Sequence, residues 1–182
     1  YTIYENFFKL IPSSYLIYDL KTREISEPIK YWDLTEKVSN SYKKKFSGNL
    51  NEIRDSLENI LSNSISKRLI SDVEIGSNLS GGIDSTLIST LAQLQLDKPI
   101  NTFTIGVDYD AYDEAPYAKK IAEVIGSNHN ELYISQKEAC SVISSISNVY
   151  DEPFADSSQI PTLLLSRFTK KKVSVALSGD GG

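Results

Sequence analysis

Apolar residues recur along this chain in short runs that alternate with longer stretches of helical spacing. The runs lie at about 73–79, 102–107, 131–134 and 173–177, and the helical patterns lie at about 85–97, 114–125, 136–149 and 158–170. Strands that alternate with helices in this rhythm are typical of a parallel sheet with helices on its faces. The pattern therefore predicts an α/β domain.

The first 35 residues carry a different pattern, in which apolar and polar residues alternate in short runs typical of strands and turns. An amphipathic helix is predicted over about 49–69, where apolar residues recur at helical spacing. The polar stretch between the two patterns predicts a junction. We therefore expect residues 1–35 to belong to a preceding β-rich domain and its linker, and residues 36–182 to form the α/β domain.

Charge and composition narrow the classes of function. The net charge is −5, with both signs spread along the chain, so the sequence lacks the basic face that a nucleic-acid-binding protein needs. No apolar stretch approaches the roughly 20 residues of a membrane span, and a single cysteine cannot form an internal disulfide. We expect a cytoplasmic protein that binds neither nucleic acid nor membrane. Because the chain begins at Tyr1 and contains no methionine, we interpret it as a fragment of a longer protein.

The loop after the first strand run carries the strongest chemical signal, Ser80-Gly81-Gly82-Ile83-Asp84-Ser85. Two adjacent glycines allow a positive φ and a close approach of the backbone to an anion. Successive backbone amides and the positive end of the following helix can then bind phosphate, with serine hydroxyls as further donors. The sequence predicts a phosphate-binding loop.

Two details indicate which phosphate it binds. The loop lacks the lysine of a Walker motif and carries Asp84 instead. A carboxylate beside phosphates is repulsive unless a divalent cation bridges them, so Asp84 predicts bound Mg²⁺ and pyrophosphate as a leaving group. The alternative is an ordinary strand-to-helix turn in which Asp84 or Ser85 merely caps the helix. Five fixed positions arise by chance with odds of order 10⁻⁴ to 10⁻³, so we favour the phosphate loop.

A second loop follows the last strand run and reads Ser178-Gly179-Asp180-Gly181-Gly182. Ligands of open parallel sheets bind outside the carboxyl ends of the strands. If both strands are parallel in one sheet, the two loops open on the same edge, and we expect them to form one site.

The order and spacing of several segments resemble the synthetase domain of glutamine-dependent asparagine synthetases. The resemblance covers residues 36–182, and the opening of the chain, with Lys9-Leu10-Ile11-Pro12 and Tyr31-Trp32-Asp33-Leu34, resembles the tail of the glutaminase domain that precedes it. The segments that carry the synthetase resemblance are Leu79–Ser85, Thr102–Gly106, Asp113–Ala118, His129–Leu132, Tyr150–Ser158 and Leu177–Gly182.

That resemblance implies a doubly wound parallel sheet of the adenine nucleotide α-hydrolase kind. It further implies a role for each motif. By this resemblance, Leu79 and Ile105 bind adenosine, and pyrophosphate is bound by Ser80, Gly81, Gly82, Asp84 and Ser85. Ser178 and Gly179 close over the nucleotide. Asp84 binds Mg²⁺, and Asp180 takes part in forming the acyl-adenylate. The position of Asp180 more commonly holds glutamate in the family.

The implied reaction is asparagine synthesis from aspartate and ATP through β-aspartyl-AMP. Ammonia comes from glutamine hydrolysed by the N-terminal glutaminase domain, and a homodimer is a further expectation. We expect the fragment to be inactive by itself, because an acidic pair and a lysine expected after Gly182 are not in the sequence.

Three alternatives stay open. The first is a related adenylating enzyme acting on another carboxylic acid, such as a β-lactam or lasso-peptide cyclase or an amidotransferase for a sugar acid. The second is a GMP or NAD synthetase or a tRNA thiolase, whose later motifs fit less well. The third is a nucleotide-binding module without catalysis. Nothing in these residues specifies the carboxylic substrate.

Overall fold

The computed structural model describes residues 2–108, 113–153 and 155–180, and its internal contacts divide the chain into two units that meet between Ile53 and Arg54. In the first unit, strand β1 (Ser14–Tyr15) pairs antiparallel with β2 (Ile29–Lys30). Helix α1 (Leu34–Lys43) follows. The strands and turns predicted before residue 35 are therefore present, although the strands are short.

Helix α1 lies in the polar stretch in which the sequence pattern predicts a junction, so a large part of that stretch is helical. The carboxylate of Asp33 accepts a hydrogen bond from the backbone nitrogen of Glu36 at 3.2 Å and so caps the helix start. None of the ten helical residues is buried. Three apolar residues of α1, Leu34, Val38 and Tyr42, do recur at helical spacing, but they are few and lie in a polar stretch, which explains why the sequence analysis missed the helix.

The second unit contains the alternating elements that the sequence predicted. Helix α2 (Leu50–Arg68) leads into it across the boundary between the units. The predicted 136–149 helix is divided into α5 and a 3₁₀ helix, and the other strands and helices lie within a few residues of their predicted positions. In chain order they are β3 (Ile75–Asn78), α3 (Ile83–Gln93), β4 (Asn101–Val107), α4 (Ala115–Ile125), β5 (Asn128–Ile134), α5 (Gln136–Ser141), the 3₁₀ helix (Ile143–Asn148), α6 (Gln159–Thr169) and β6 (Val175–Leu177).

Four strands of this unit form one parallel sheet in the order β5-β4-β3-β6. The chain moves outward from β3 through β4 to β5 and then crosses back to place β6 on the other side of β3. The order of a doubly wound sheet reverses at such a point, and ligands bind there, outside the carboxyl ends of the strands. The expected fold class is confirmed, and the reversal lies between β3 and β6.

Helices cover the sheet and bury its central strands. The ring of Phe103 on β4 makes an edge contact with Phe168 of α6, with ring centroids 5.8 Å apart. Leu79, directly after β3, is 1% exposed and packs with Ala118 and Ala122 of α4. Because β3 and β4 are covered in this way, their carboxyl ends form a rigid base for the loops that follow.

Two helix ends have well-defined caps. Gly126 ends α4 in the left-handed region at φ 73°, and Ser135 forms a capping box with Glu138 at the start of α5. Helix α2 matches the predicted amphipathic helix, and its Ile65 is 3% exposed in the core. Within the described ranges, no helix is both long and apolar enough to cross a membrane.

Candidate nucleotide-binding site

A cavity of about 500 Å³ opens where the loops after β3 and β6 meet. Its size lies in the range of small-molecule sites. Both loops, the carboxyl-terminal half of β4 and one face of α6 contribute to its wall. The lining residues are Asn78, Leu79, Ser80, Gly82, Ile83, Asp84, Ser85, Phe103, Thr104, Ile105, Val107, Glu114, Pro161, Thr162, Leu165, Ser166, Ser178, Gly179 and Asp180.

The two glycines of the first loop have different conformations. Gly81 has a φ of 86°, whereas Gly82 has a φ of −69°, which any residue can adopt. A Cβ on Gly81 would lie 3.0 Å from the Cβ of Tyr117 and 3.1 Å from the backbone nitrogen of Ala118. Gly81 therefore serves the turn and its close packing against α4, and only Gly82 faces open space.

Hydroxyl groups hold the first loop in one conformation. The Oγ atoms of Ser80 and Ser85 are 2.9 Å apart, and the Ser85 Oγ also accepts a hydrogen bond from the Ser80 backbone nitrogen at 3.2 Å. The Gly82 backbone nitrogen donates to the Ser80 Oγ at 3.3 Å. A loop that is already ordered loses little conformational entropy when an anion binds.

Helix α3 begins directly after the first loop. Gly82 is the N-cap residue and provides no side-chain cap, while Asp84 lies in the first turn. The backbone amides of a helix start lack partners within the helix and carry partial positive charge. The alternative in which Asp84 or Ser85 caps this helix is wrong, because Gly82 occupies the cap position.

The second loop lies directly against the first. A Cβ on Gly179 would be 2.8 Å from the Ser85 backbone nitrogen and 3.1 Å from the Asp84 Cβ. The Asp180 backbone nitrogen donates to the Ser178 Oγ at 3.2 Å, and the Ser178 Oγ lies 3.2 Å from Asp180 Oδ2. Residues 181–182 of the predicted motif lie outside the described residues. The expectation that both loops form one site is met at these positions.

An apolar wall lies beside the loops. Ile105 and Phe103 of β4 contribute to it, together with Leu165 of α6. Leu79 is buried, and its backbone nitrogen donates to the Phe103 carbonyl oxygen at 2.8 Å. These residues give one side of the cavity an apolar character.

The charged side chains of the lining are all acidic. Asp84, Glu114 and Asp180 line the cavity, and no lysine, arginine or histidine of the described residues lines it. The described ranges contain no group of three or more His, Cys, Asp and Glu side chains placed to hold a metal. Mg²⁺ is commonly bound by one or two carboxylates together with phosphates, so Asp84 fits that donor set without a protein cage.

All the predicted site residues except Gly81 line this cavity. The sequence analysis assigned no site role to the remaining lining residues, which are Asn78, Ile83, Phe103, Thr104, Val107, Glu114 and those of the α6 face. The four α6 positions, Pro161, Thr162, Leu165 and Ser166, share one side of a helix, a spacing visible in the sequence, but that spacing does not reveal that the side faces a cavity. The described part of the Tyr150–Ser158 motif does not line the cavity, and residue 154 lies outside the described residues.

Comparison with known proteins agrees with this geometry. The family model described as asparagine synthase matches residues 56–182. The chain is 36% identical over 183 residues to a putative asparagine synthetase (glutamine-hydrolyzing) 2 of Methanocaldococcus jannaschii, covering 100% of this chain and 34% of that protein. It is 31% identical over 189 residues to asparagine synthetase (glutamine-hydrolyzing) of Mus musculus, covering 94% of this chain and 33% of that protein.

Among solved structures, an NH₃-dependent NAD synthetase from Campylobacter jejuni gives a TM-score of 0.46 at 17% identity, with 67% of this chain and 54% of that chain covered. An NMN synthetase from Francisella tularensis gives a TM-score of 0.45 at 18% identity, with 71% of this chain and 54% of that chain covered. The chain spans about a third of the length of the two curated relatives above. From the extent of the family match, the chain belongs to the asparagine synthase family.

Proposed function

We propose that this chain is the ATP-binding part of an amide-forming ligase that activates a carboxylic acid, aspartate in the first instance, as its adenylate. One observation carries the proposal. Two loops that each follow a strand, and that each carry a serine, a glycine and a carboxylate, meet at the reversal point of a doubly wound sheet and line one cavity. Family membership supports the same reaction class.

The proposed chemistry has two steps. A carboxylate oxygen of aspartate attacks the α-phosphorus of ATP, the bond from that phosphorus to the pyrophosphate oxygen breaks, and β-aspartyl-AMP forms. Ammonia then attacks the acyl carbon, the bond from that carbon to the AMP oxygen breaks, and the nitrogen loses a proton as asparagine forms. Glutamine supplies the ammonia in this proposal.

The chain's own groups would bind and orient the nucleotide. The backbone amides at the start of α3 and the hydroxyls of Ser80 and Ser85 face the β- and γ-phosphates, which leave as pyrophosphate. Ser178 and Gly179 close the site from the β6 side, and Leu79 and Ile105 hold the adenosine. Such preorganised donors stabilise charge that develops on the leaving group.

Mg²⁺ would be held by Asp84 together with the phosphates. When bound, it supplies positive charge between the carboxylate and the pyrophosphate, which the acidic lining of the cavity does not provide. We assign Asp180 to the formation of the adenylate, at the edge of the cavity reached by the substrate carboxylate.

The proposal extends to the surrounding protein. Residues 1–35 would be the end of a glutaminase domain and its linker, and residues 36–182 would begin the synthetase domain. The whole protein would act in the cytoplasm, as a homodimer, with ammonia passing from the glutaminase domain to the adenylate.

The test is pyrophosphate release by the full-length protein with ATP, Mg²⁺ and ammonium, comparing aspartate with a panel of other carboxylic acids. We expect release that depends on aspartate and yields AMP and asparagine in equal amounts. Release with another acid alone would assign the chain to a related adenylating amidotransferase or cyclase. Formation of ADP and phosphate would contradict the proposal.

A second candidate is a nucleotide-binding module without catalysis. The ordered first loop and the start of α3, which has no side-chain cap, would bind phosphates whether or not a reaction follows. ATP binding without pyrophosphate release for any acid of the panel would identify this second function.

A further inference from the structure

One polar atom in the cavity wall is buried and has no hydrogen-bond partner, the Oδ1 of Asn78. Asn78 is the last residue of β3 and pairs with Phe103 of β4. Its side chain lines the nucleotide cavity and also a neighbouring cavity of about 600 Å³ beside α6 and β6. Buried acceptors in native proteins are nearly always satisfied, so this atom indicates a partner that binds in the cavity.

Asn78 lies at a suitable depth for a nucleobase. It precedes the first loop residue, Ser80, by two positions, and a strand rise of about 3.3 Å per residue places it about 7 Å farther along the strand from the loop. The apolar wall formed by Phe103, Ile105 and Leu165 lines the same cavity. If the phosphates bind at the loop, the rest of the nucleotide extends along this wall toward Asn78. A nucleobase suits this position, because it is flat, apolar on its faces and polar at its edge.

We propose that Asn78 is a specificity-determining residue that recognises the 6-amino group of adenine, its Oδ1 accepting a hydrogen bond from that group. The inference rests on the proposed function, since it requires a nucleotide in this cavity. The apolar side chains of Phe103, Ile105 and Leu165 cannot hydrogen-bond to the edge of a purine. Asn78 provides a side-chain acceptor in the wall that can.

The test compares ATP with purine riboside 5′-triphosphate, which has hydrogen in place of the 6-amino group. Binding is measured by calorimetry for the parent, for Asn78→Ala and for Asn101→Ala. Asn101 is a matched control because it lies at the start of β4 and donates to Glu74 Oε1 at 2.6 Å, outside the cavity lining. Circular dichroism and thermal unfolding monitor the fold.

We expect the parent and Asn101→Ala to bind ATP about tenfold or more tightly than the analogue, the effect of one buried hydrogen bond. Asn78→Ala should bind both about equally, through weaker binding of ATP and unchanged binding of the analogue. Equal affinities in the parent would overturn the inference and leave the proposed function intact. A preference retained in Asn78→Ala, or lost in Asn101→Ala, would also overturn it. Binding of neither nucleotide by the parent would reject the proposed function with it.

Discussion

The α-carbon of Gly179 lies so close to Ser85 that a Cβ built on it would be 2.8 Å from the Ser85 backbone nitrogen. This contact joins the loop after β6 to the first turn of α3. The fold therefore tolerates no side chain at this point between the two halves of the site.

We predict that Gly179→Ala separates the two loops. The new Cβ would meet backbone atoms of Asp84 and Ser85 that cannot move independently of α3, and overpacking of this kind costs about 1–3 kcal/mol. The free energy of unfolding, measured with urea, and ATP affinity should both fall. Unchanged stability would show that the loops are not packed as described.

Gly82→Ala should lower ATP affinity without lowering the free energy of unfolding. At Gly82 a Cβ would meet only the Ser80 Oγ at 3.4 Å, and the φ of −69° is compatible with alanine, so stability should be unchanged or slightly higher. The methyl group would crowd the open face of the loop. ATP affinity should fall about tenfold, the loss of one hydrogen bond to a charged group. Unchanged ATP affinity would exclude this amide from the phosphate site.

Asp84→Asn should change the response to Mg²⁺ more than the binding of nucleotide. We expect turnover of the full-length protein to fall about 100-fold and to require more Mg²⁺, because a neutral amide holds the ion poorly. Glu114→Gln, which neutralises another carboxylate of the lining, serves as the control and should retain the parent's Mg²⁺ dependence. Identical Mg²⁺ titrations for Asp84→Asn and the parent would remove Asp84 from the metal site.

The buried hydroxyls of Ser77 and Ser89 join β3 to α3. Both side chains are 0% exposed, and their Oγ atoms are 2.8 Å apart. Ser89→Ala leaves the Ser77 hydroxyl without this partner and should lower the free energy of unfolding by about 1–3 kcal/mol. The double variant Ser77→Ala/Ser89→Ala should cost less than the sum of the single changes. Additive losses in denaturant unfolding would contradict coupling between the two hydroxyls.

The pH dependence of stability should include a contribution from His129, the single histidine of the chain. Burial lowers its pKa below the ordinary 6.5, Glu131 opposes that shift, and Lys119 adds to it. The Nδ1 lies 2.9 Å from the Thr102 Oγ1, while Nε2 is buried without a partner. Protonation therefore favours the unfolded chain, whose imidazole has the higher pKa.

The contribution of neutral His129 to the free energy of unfolding should be fully present above about pH 6.5. It should be lost as the pH falls from there through the lowered pKa of the folded state. The imidazole resonance gives that pKa directly by NMR titration. In His129→Gln the corresponding part of the urea-unfolding profile should be absent. A folded-state pKa at or above 6.5 would contradict the effect of burial.

Much of the architecture follows from local sequence signals. The strand-loop-helix units were predictable because an apolar run, a loop rich in glycine and serine, and a helical pattern occur consecutively in the chain. Helix α1 was missed, although Leu34, Val38 and Tyr42 have helical spacing and Asp33 caps it, because so few apolar residues occur in that polar stretch.

The candidate site likewise contains residues that were predictable from the sequence and residues that were not. Ser80 to Ser85 and Ser178 to Asp180 belong to recognisable loops, and the structure places both sets around one cavity. Asn78 and the α6 face are tertiary features, because their role depends on which strand and helix lie opposite each other. The difference between Gly81 and Gly82 likewise arises from the packing of α4 behind the loop.

The strand order has a consequence for how the molecule forms. β3, β4 and β5 are neighbours in sequence and can assemble as consecutive local units, whereas β6 pairs Val175 with Ile75 across a hundred positions of chain. The loop at Ser80 can exist as soon as β3 and α3 are made. The cavity cannot, because its other wall arrives only with β6. During synthesis, therefore, the cavity forms when β6 pairs with β3, and bound nucleotide would favour the docking of β6 over its release.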